Sequence, residues 1–142
     1  MGSRRQAREQ ALQMLYQLDI APDLSVESTL DVFWSVEQAD DDVVEFAGSV
    51  VSGVCDQMER LDALITDASH NWKVERMSYV DRNILRLAVF EFLEKSDVPP
   101  MVSINEAIEL GKRFGTEESG AFINGILDRI ARSLKLTEGE RS

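Results

Sequence analysis

Ser78-Tyr79-Val80-Asp81-Arg82-Asn83-Ile84-Leu85-Arg86-Leu87-Ala88-Val89-Phe90-Glu91-Phe92-Leu93 is the stretch whose reading decides the fold. Ser78 and Asp81 stand at the spacing of a capping box, which opens a helix. Behind them Ile84, Leu85, Leu87, Ala88, Phe90, Phe92 and Leu93 place apolar side chains on more than one side of that helix. Such a helix is stable only when neighbours cover it on several faces. The expectation is therefore an all-α bundle with this segment at its most buried position. Pro99-Pro100 ends the segment, because proline disfavours helix at the residue before it.

Working outward, helical spacing continues in both directions. Ala7, Ala11, Leu12, Leu15 and Leu18 predict a first helix that Ala21-Pro22-Asp23 interrupts. Ser25 precedes a short helix with Val26, Leu30, Phe33 and Trp34. Asp40-Asp41-Asp42 favours a helix N-terminus. From there Val43, Phe46, Ala47, Val50, Val54, Met58, Leu61, Leu64, Ile65 and Ala68 form the longest apolar stripe, read as one central helix.

A break at His70-Asn71-Trp72 leads into the segment quoted above. After the prolines, Ser103-Ile104-Asn105-Glu106 reads as a second capping box, with Gly115 as a C-terminal stop. Thr116 is expected to cap a last helix holding Phe122, Ile123, Ile126, Leu127, Ile130 and Leu134. No strand pattern competes. The prediction is a helical bundle of about six or seven helices, one domain over 1–142, with residues 1–3 and 136–142 frayed.

A chain of 142 residues can bury a true core without covalent staples. Cys55 is the sole cysteine, so no disulfide framework or thiolate metal set is expected, and its apolar stripe makes it a small buried hydrophobe. No apolar run reaches the ~20 residues that span a bilayer. Met1-Gly2-Ser3 resembles a myristoylation start, but Gln6 stands where the motif needs Ser or Thr. The expected location is the cytoplasm, with no membrane contact.

The net charge of -11 excludes a generally basic surface, so polyanion binding has to be focused on small patches. Between Glu9 and Glu59 there is no Lys or Arg, yet Arg4, Arg5 and Arg8 cluster just before that stretch. Positions 4 and 8 share a helix face. The bland reading is a solvated terminus; the sharp one is a phosphate-binding patch. With three arginines as the main contacts to a single strand, the salt slope should stay near or below about 2 in magnitude.

No catalytic constellation can be assembled. His70 has no motif around it, and no paired His/Cys spacing suggests a metal. Gly111-Lys112 lacks the upstream glycine and strand of a phosphate loop. Glu117 and Glu118 suit the dipole of a helix start better than acid/base chemistry. Neither an enzyme nor a cofactor is expected; the chain reads as a binder.

Two stretches carry a family resemblance: Ser78 to Ala88, and Ile104-Asn105-Glu106-Ala107-Ile108-Glu109-Leu110 through Lys112-Arg113-Phe114-Gly115-Thr116 to Asn124-Gly125-Ile126-Leu127-Asp128. With Arg4-Arg5 and the helix through Tyr16, they resemble the NusB family of transcription antitermination factors over essentially the whole chain. The resemblance implies a heterodimer with the small-subunit ribosomal protein NusE. It also implies binding to single-stranded boxA RNA of ribosomal leaders, within an RNA polymerase complex that reads through terminators.

Carried over by position, Arg4, Arg5, Arg8, Tyr16, Thr116, Glu118, Ser119 and Phe122 are the implied RNA-side residues. Glu75, Arg76 and Asp81 are the implied NusE-side residues. Tyr16 and Phe122 could stack on splayed bases, or be boundary and core residues respectively. Gln6 departs from a run that is more uniformly basic in relatives. Gly111 replaces a helix former at a cost of about 1 kcal/mol, which a close helix approach would explain. The acidic body suits a basic protein partner, and equally plain solubility. Two alternatives stand beside this reading: an accessory module of a ribosomal RNA-modification system, and a self-associating structural module, since a homodimer is possible.

Overall fold

The computed structural model describes residues 2–136. Seven helices make up the described chain, with no strand: α1 (Gly2–Ile20), α2 (Val26–Val36), α3 (Asp41–Asp56), α4 (Met58–Ala68), α5 (Tyr79–Glu94), α6 (Pro100–Phe114) and α7 (Ser119–Ser133). A short 3-10 turn, Val74–Arg76, precedes α5.

α5 is the axis. Every residue from Asn83 to Glu91 is buried, and α1, α3, α4, α6 and α7 all pack on it. The apolar pattern on several faces therefore has its expected consequence. Each fully buried Leu, Ile or Val contributes about 1.5–3 kcal/mol, and Ile84, Leu85, Leu87 and Val89 are all in that state.

The start signals succeed where they depend only on local chemistry. Ser25 Oγ accepts from Ser28 N at 3.0 Å, and Ser78 Oγ accepts from Asp81 N at 3.0 Å. The reciprocal half of the Ser78 box is not made, because the Asp81 carboxylate is engaged by Ser119 instead. α1 runs from Gly2, so residues 2 and 3 are helical rather than frayed. Leu136 N donates to Ala131 O at 2.8 Å. The fraying expected at Met1 and at 137–142 lies outside the described residues.

Three boundaries differ from the sequence reading. The stripe from Val43 to Ala68 is two helices, broken at Gln57 (φ -109, ψ 20). Gln57 Nε2 donates to Glu94 on α5 at 3.0 Å, and the break lets the chain follow the curve of the core. The apolar spacing continues in register across Gln57, so the pattern hides the break. α6 begins at Pro100, where the missing N–H is no loss and φ is preset for a helix. Ser103 thus lies one turn inside and donates to Glu91 Oε1 at 2.8 Å. Thr116 does not cap α7: its hydroxyl faces Glu118 at 3.3 Å, and its N–H donates to Ser119 Oγ at 2.9 Å.

The two glycines bounding the end of α6 serve close approach. A Cβ on Gly111 would lie 2.9 Å from Ile123 Cδ1 of α7, and one on Gly115 would collide with Ser119 Oγ. The packing of α6 on α7 thus accounts for the helix-weakening Gly111. Gly111→Ala should lower stability by about 1–3 kcal/mol despite the better helix former. Urea denaturation checks this; a stabilised variant would contradict the close-approach account.

Candidate nucleic-acid interface

The three N-terminal arginines look alike in sequence and have three different fates. Arg8 is buried and makes two charge-assisted bonds to the Glu91 carboxylate, at 2.8 and 2.9 Å. Ser103 satisfies the same carboxylate. Arg8 is therefore a core residue that ties α1 to α5, and its side chain is not available to a phosphate. This corrects the expectation that placed it with the RNA-side residues.

Arg5 is exposed and forms a bidentate pair with Glu106 of α6, at 3.0 and 2.8 Å. The hydrogen bond from Arg5 lowers the Glu106 pKa below its ordinary value, against partial burial, and the same bond raises that of Arg5. The fork of Arg5 is thereby held in a fixed direction while its remaining N–H groups face solvent. Arg4 lies with its guanidinium 4.2 Å from the centre of the Phe46 ring and 3.7 Å from Asp97.

At the start of α7, Thr116 and Glu118 are exposed, whereas Ser119 is buried. Ser119 Oγ donates to Asp81 Oδ1 at 2.7 Å while accepting from Thr116 N. Ser119 is consequently a joint between α7 and α5 rather than a contact for RNA. It also fixes Asp81, so the Asp81 side chain has a structural partner. Phe122 is half-buried and meets Trp72 edge to face, with ring centres 5.3 Å apart. Trp72 was not singled out by sequence reasoning; its position in a break, outside every apolar stripe, was the available signal.

Tyr16 belongs to a different neighbourhood. Twelve residues along α1 separate it from Arg4, about 18 Å at helical rise. Its ring meets Tyr79 edge to face at 5.9 Å. Together with Leu12, Gln13, Gln17, Val80 and Phe114 it lines an open apolar groove of about 420 Å³. The structure therefore groups Tyr16 with the start of α5, not with Arg4 and Arg5. Glu75 and Arg76 are exposed on the turn before α5. Glu75 borders an acidic groove of about 510 Å³ that Glu59, Asp62 and Asp67 also line.

An ionic network braces this end. Asp19 at the end of α1 accepts two bonds from Arg82, at 2.8 Å each, and one each from Asn83 and Arg86. Arg86 continues to Asp62 on α4 at 2.8 and 2.9 Å. Burial by itself would raise the Asp19 pKa, but the bonds from Arg82 and Asn83 and the charge of Arg86 lower it overall. Burial pushes the half-buried Cys55 thiol up, with Asp56 adding to it. Among the described residues no group of three His, Cys, Asp or Glu is arranged to hold a metal ion, and no helix is long and apolar enough to cross a membrane.

These features define a helical binding module: a braced bundle, a short basic edge at the start of α1, and exposed polar and aromatic groups at the start of α7. The NusB family matches residues 5–132, and the chain belongs to that family. It is 51% identical to the transcription antitermination protein NusB of Myxococcus xanthus, over 94% of this chain and 98% of that one. Its fold matches NusB of T. maritima with a TM-score of 0.85 at 36% identity, covering 97% and 96% of the two chains. It also matches a crystal structure of antitermination factors NusB and NusE in complex with double-stranded RNA, with a TM-score of 0.83 at 28% identity and coverage of 94% and 98%.

Because the native Asp19 pKa is lowered, its stabilising effect is full above the ordinary carboxylate range. It is lost as pH falls from about 4 through the depressed value. The urea midpoint should therefore hold steady from neutrality to about pH 5 and then decline. Asp19→Asn should cost about 1–3 kcal/mol at neutral pH and flatten that decline. An unchanged acid profile in the variant would show that Asp19 is not the group responsible.

Proposed function

We propose that this chain is a transcription antitermination factor that binds boxA-type leader RNA together with the ribosomal protein NusE, in the cytoplasm, as one domain within the polymerase complex. Its relatives are antitermination proteins rather than enzymes. The observation that carries the reading is the split of charge. Arg4 and Arg5 stand exposed at the start of α1 on a chain of net charge -11, while the acidic groove beside Glu75 lies at the other end of the bundle's central helix.

The proposed RNA contacts run along the length of the bundle. The start of α7 sits by Asp81 and Trp72, at the same end of α5 as Glu75, while Arg4 and Arg5 lie at its other end. Arg4 and Arg5 offer forks to phosphate, and Thr116, Glu118 and Phe122 on α7 offer polar and stacking contacts to bases. The acidic surface near Glu75 and the apolar groove at Tyr16 suit a basic protein. Asp81 acts there through the bond that holds Ser119, and Arg76 is the one cation of that turn. Glu118 faces solvent at a helix start and selects bases by accepting from their amino groups, at a cost in repulsion of phosphate.

Anisotropy titration of a labelled boxA-like strand, with and without NusE, tests the reading against a scrambled strand and a duplex. Selective binding that NusE strengthens is expected; no selectivity with NusE present would overturn it. Arg5→Gln should reduce the magnitude of the salt slope by about 0.7. Glu118→Gln should tighten binding, and unchanged or weaker binding would refute its proposed role.

A further inference from the structure

The face of α7 beyond Glu118 continues past Phe122 to groups that the function above does not use: Trp72, Gly125 and Arg129. Glu118, Phe122, Gly125 and Arg129 recur at the spacing of one helix face. Trp72 stands beside this face with its ring edge on Phe122, and is 48% exposed. Exposure of a large indole is unfavourable, and here its position is fixed by hydrogen bonds. Trp72 N donates to Ser69 O at 3.2 Å, and Ser69 Oγ donates to Trp72 O at 2.8 Å. His70 and Asn71 turn the chain with positive φ.

Arg129 ties the same loop to α7. Its Nε donates to Ala68 O at 2.6 Å, and both terminal nitrogens of this exposed guanidinium have no hydrogen-bond partner among the described residues. Gly125 makes room: a Cβ there would meet only those nitrogens, at 3.9 and 4.0 Å. Lys73, also exposed, follows Trp72 directly and forms no salt bridge among the described residues. An aromatic pair, a fixed guanidinium with free donors and a side-chain-free floor fit one chemical object. That object is a nucleotide whose base stacks on an aromatic face while its phosphate meets a cation.

The geometry points to a nucleotide subsite formed by Trp72, Phe122, Gly125 and Arg129, which takes one unstacked base of the bound RNA beyond the Glu118 contact. This inference rests on the RNA-binding function proposed above. Glu118, one turn before Phe122, sets the polarity: phosphate is repelled there and drawn toward Arg129.

The test uses the full chain with NusE and a labelled boxA-like single strand. Trp72→Ala should weaken RNA binding roughly tenfold, the order given by loss of one stacked base. Trp72→Phe should recover most of that loss, and Arg129→Gln should lower the magnitude of the salt slope by about 0.7. The chain has two tryptophans, so in a Trp34→Phe protein RNA should quench the fluorescence of Trp72.

If the unaltered protein binds RNA and Trp72→Ala binds equally well, the subsite is wrong and the function stands. If the unaltered protein binds no RNA, both fall. If Trp72→Ala weakens NusE binding in the absence of RNA, the patch is a protein contact and the proposal is overturned. Should Trp72→Ala fail to fold, absence of quenching in the Trp34→Phe protein overturns it equally.

Discussion

The buried pair between Arg8 and Glu91 is the interaction on which the rest depends. Taking two charges out of water is costly, and a lone buried charge costs far more than the pair. The bidentate geometry and the third bond from Ser103 satisfy the carboxylate. Three helices meet there: α1 supplies Arg8, α5 supplies Glu91 and α6 supplies Ser103. The position of the first helix against the bundle is thereby fixed, and with it the direction in which Arg4 and Arg5 leave the surface.

At the opposite end of α1, Asp19 has the same task by different means. Its carboxylate gathers Arg82, Asn83 and Arg86, and Arg86 passes the connection on to Asp62. Cations drawn from α5 are thus consumed internally. What remains outside is a surface with short basic edges at α1 and α7 and an acidic side near Glu75. The proposed division of the surface between RNA and a protein partner rests on which charges the core has already paired.

Local chemistry was legible in the sequence. The all-round apolar pattern of α5, the serine caps at Ser25 and Ser78 and the chain break at His70-Asn71 each depend on neighbours a few residues away. The hidden parts depend on distant ones. Arg8 is indistinguishable from Arg4 until Glu91, eighty-three residues later, is known to lie opposite it. Ser119 reads as a surface residue until Asp81 is known to accept its hydrogen bond. The break at Gln57 is invisible because the apolar stripe resumes in register, and the early start of α6 is obscured because Ser103 imitates a cap while bonding to another helix. Trp72 lay outside every periodic pattern, and only the packing of α4 beside α7 brings it to Phe122.

Arg8 builds the scaffold, and its neighbours Arg4 and Arg5 are displayed by it. Urea denaturation and RNA titration on the same samples of Arg8→Met and Arg5→Gln test this directly. Arg8→Met should lose about 3–5 kcal/mol of stability yet, where folded, bind RNA within about twofold of the unaltered protein. Arg5→Gln should keep its stability and lose RNA affinity. An Arg8→Met protein of undiminished stability that no longer binds RNA would contradict the account.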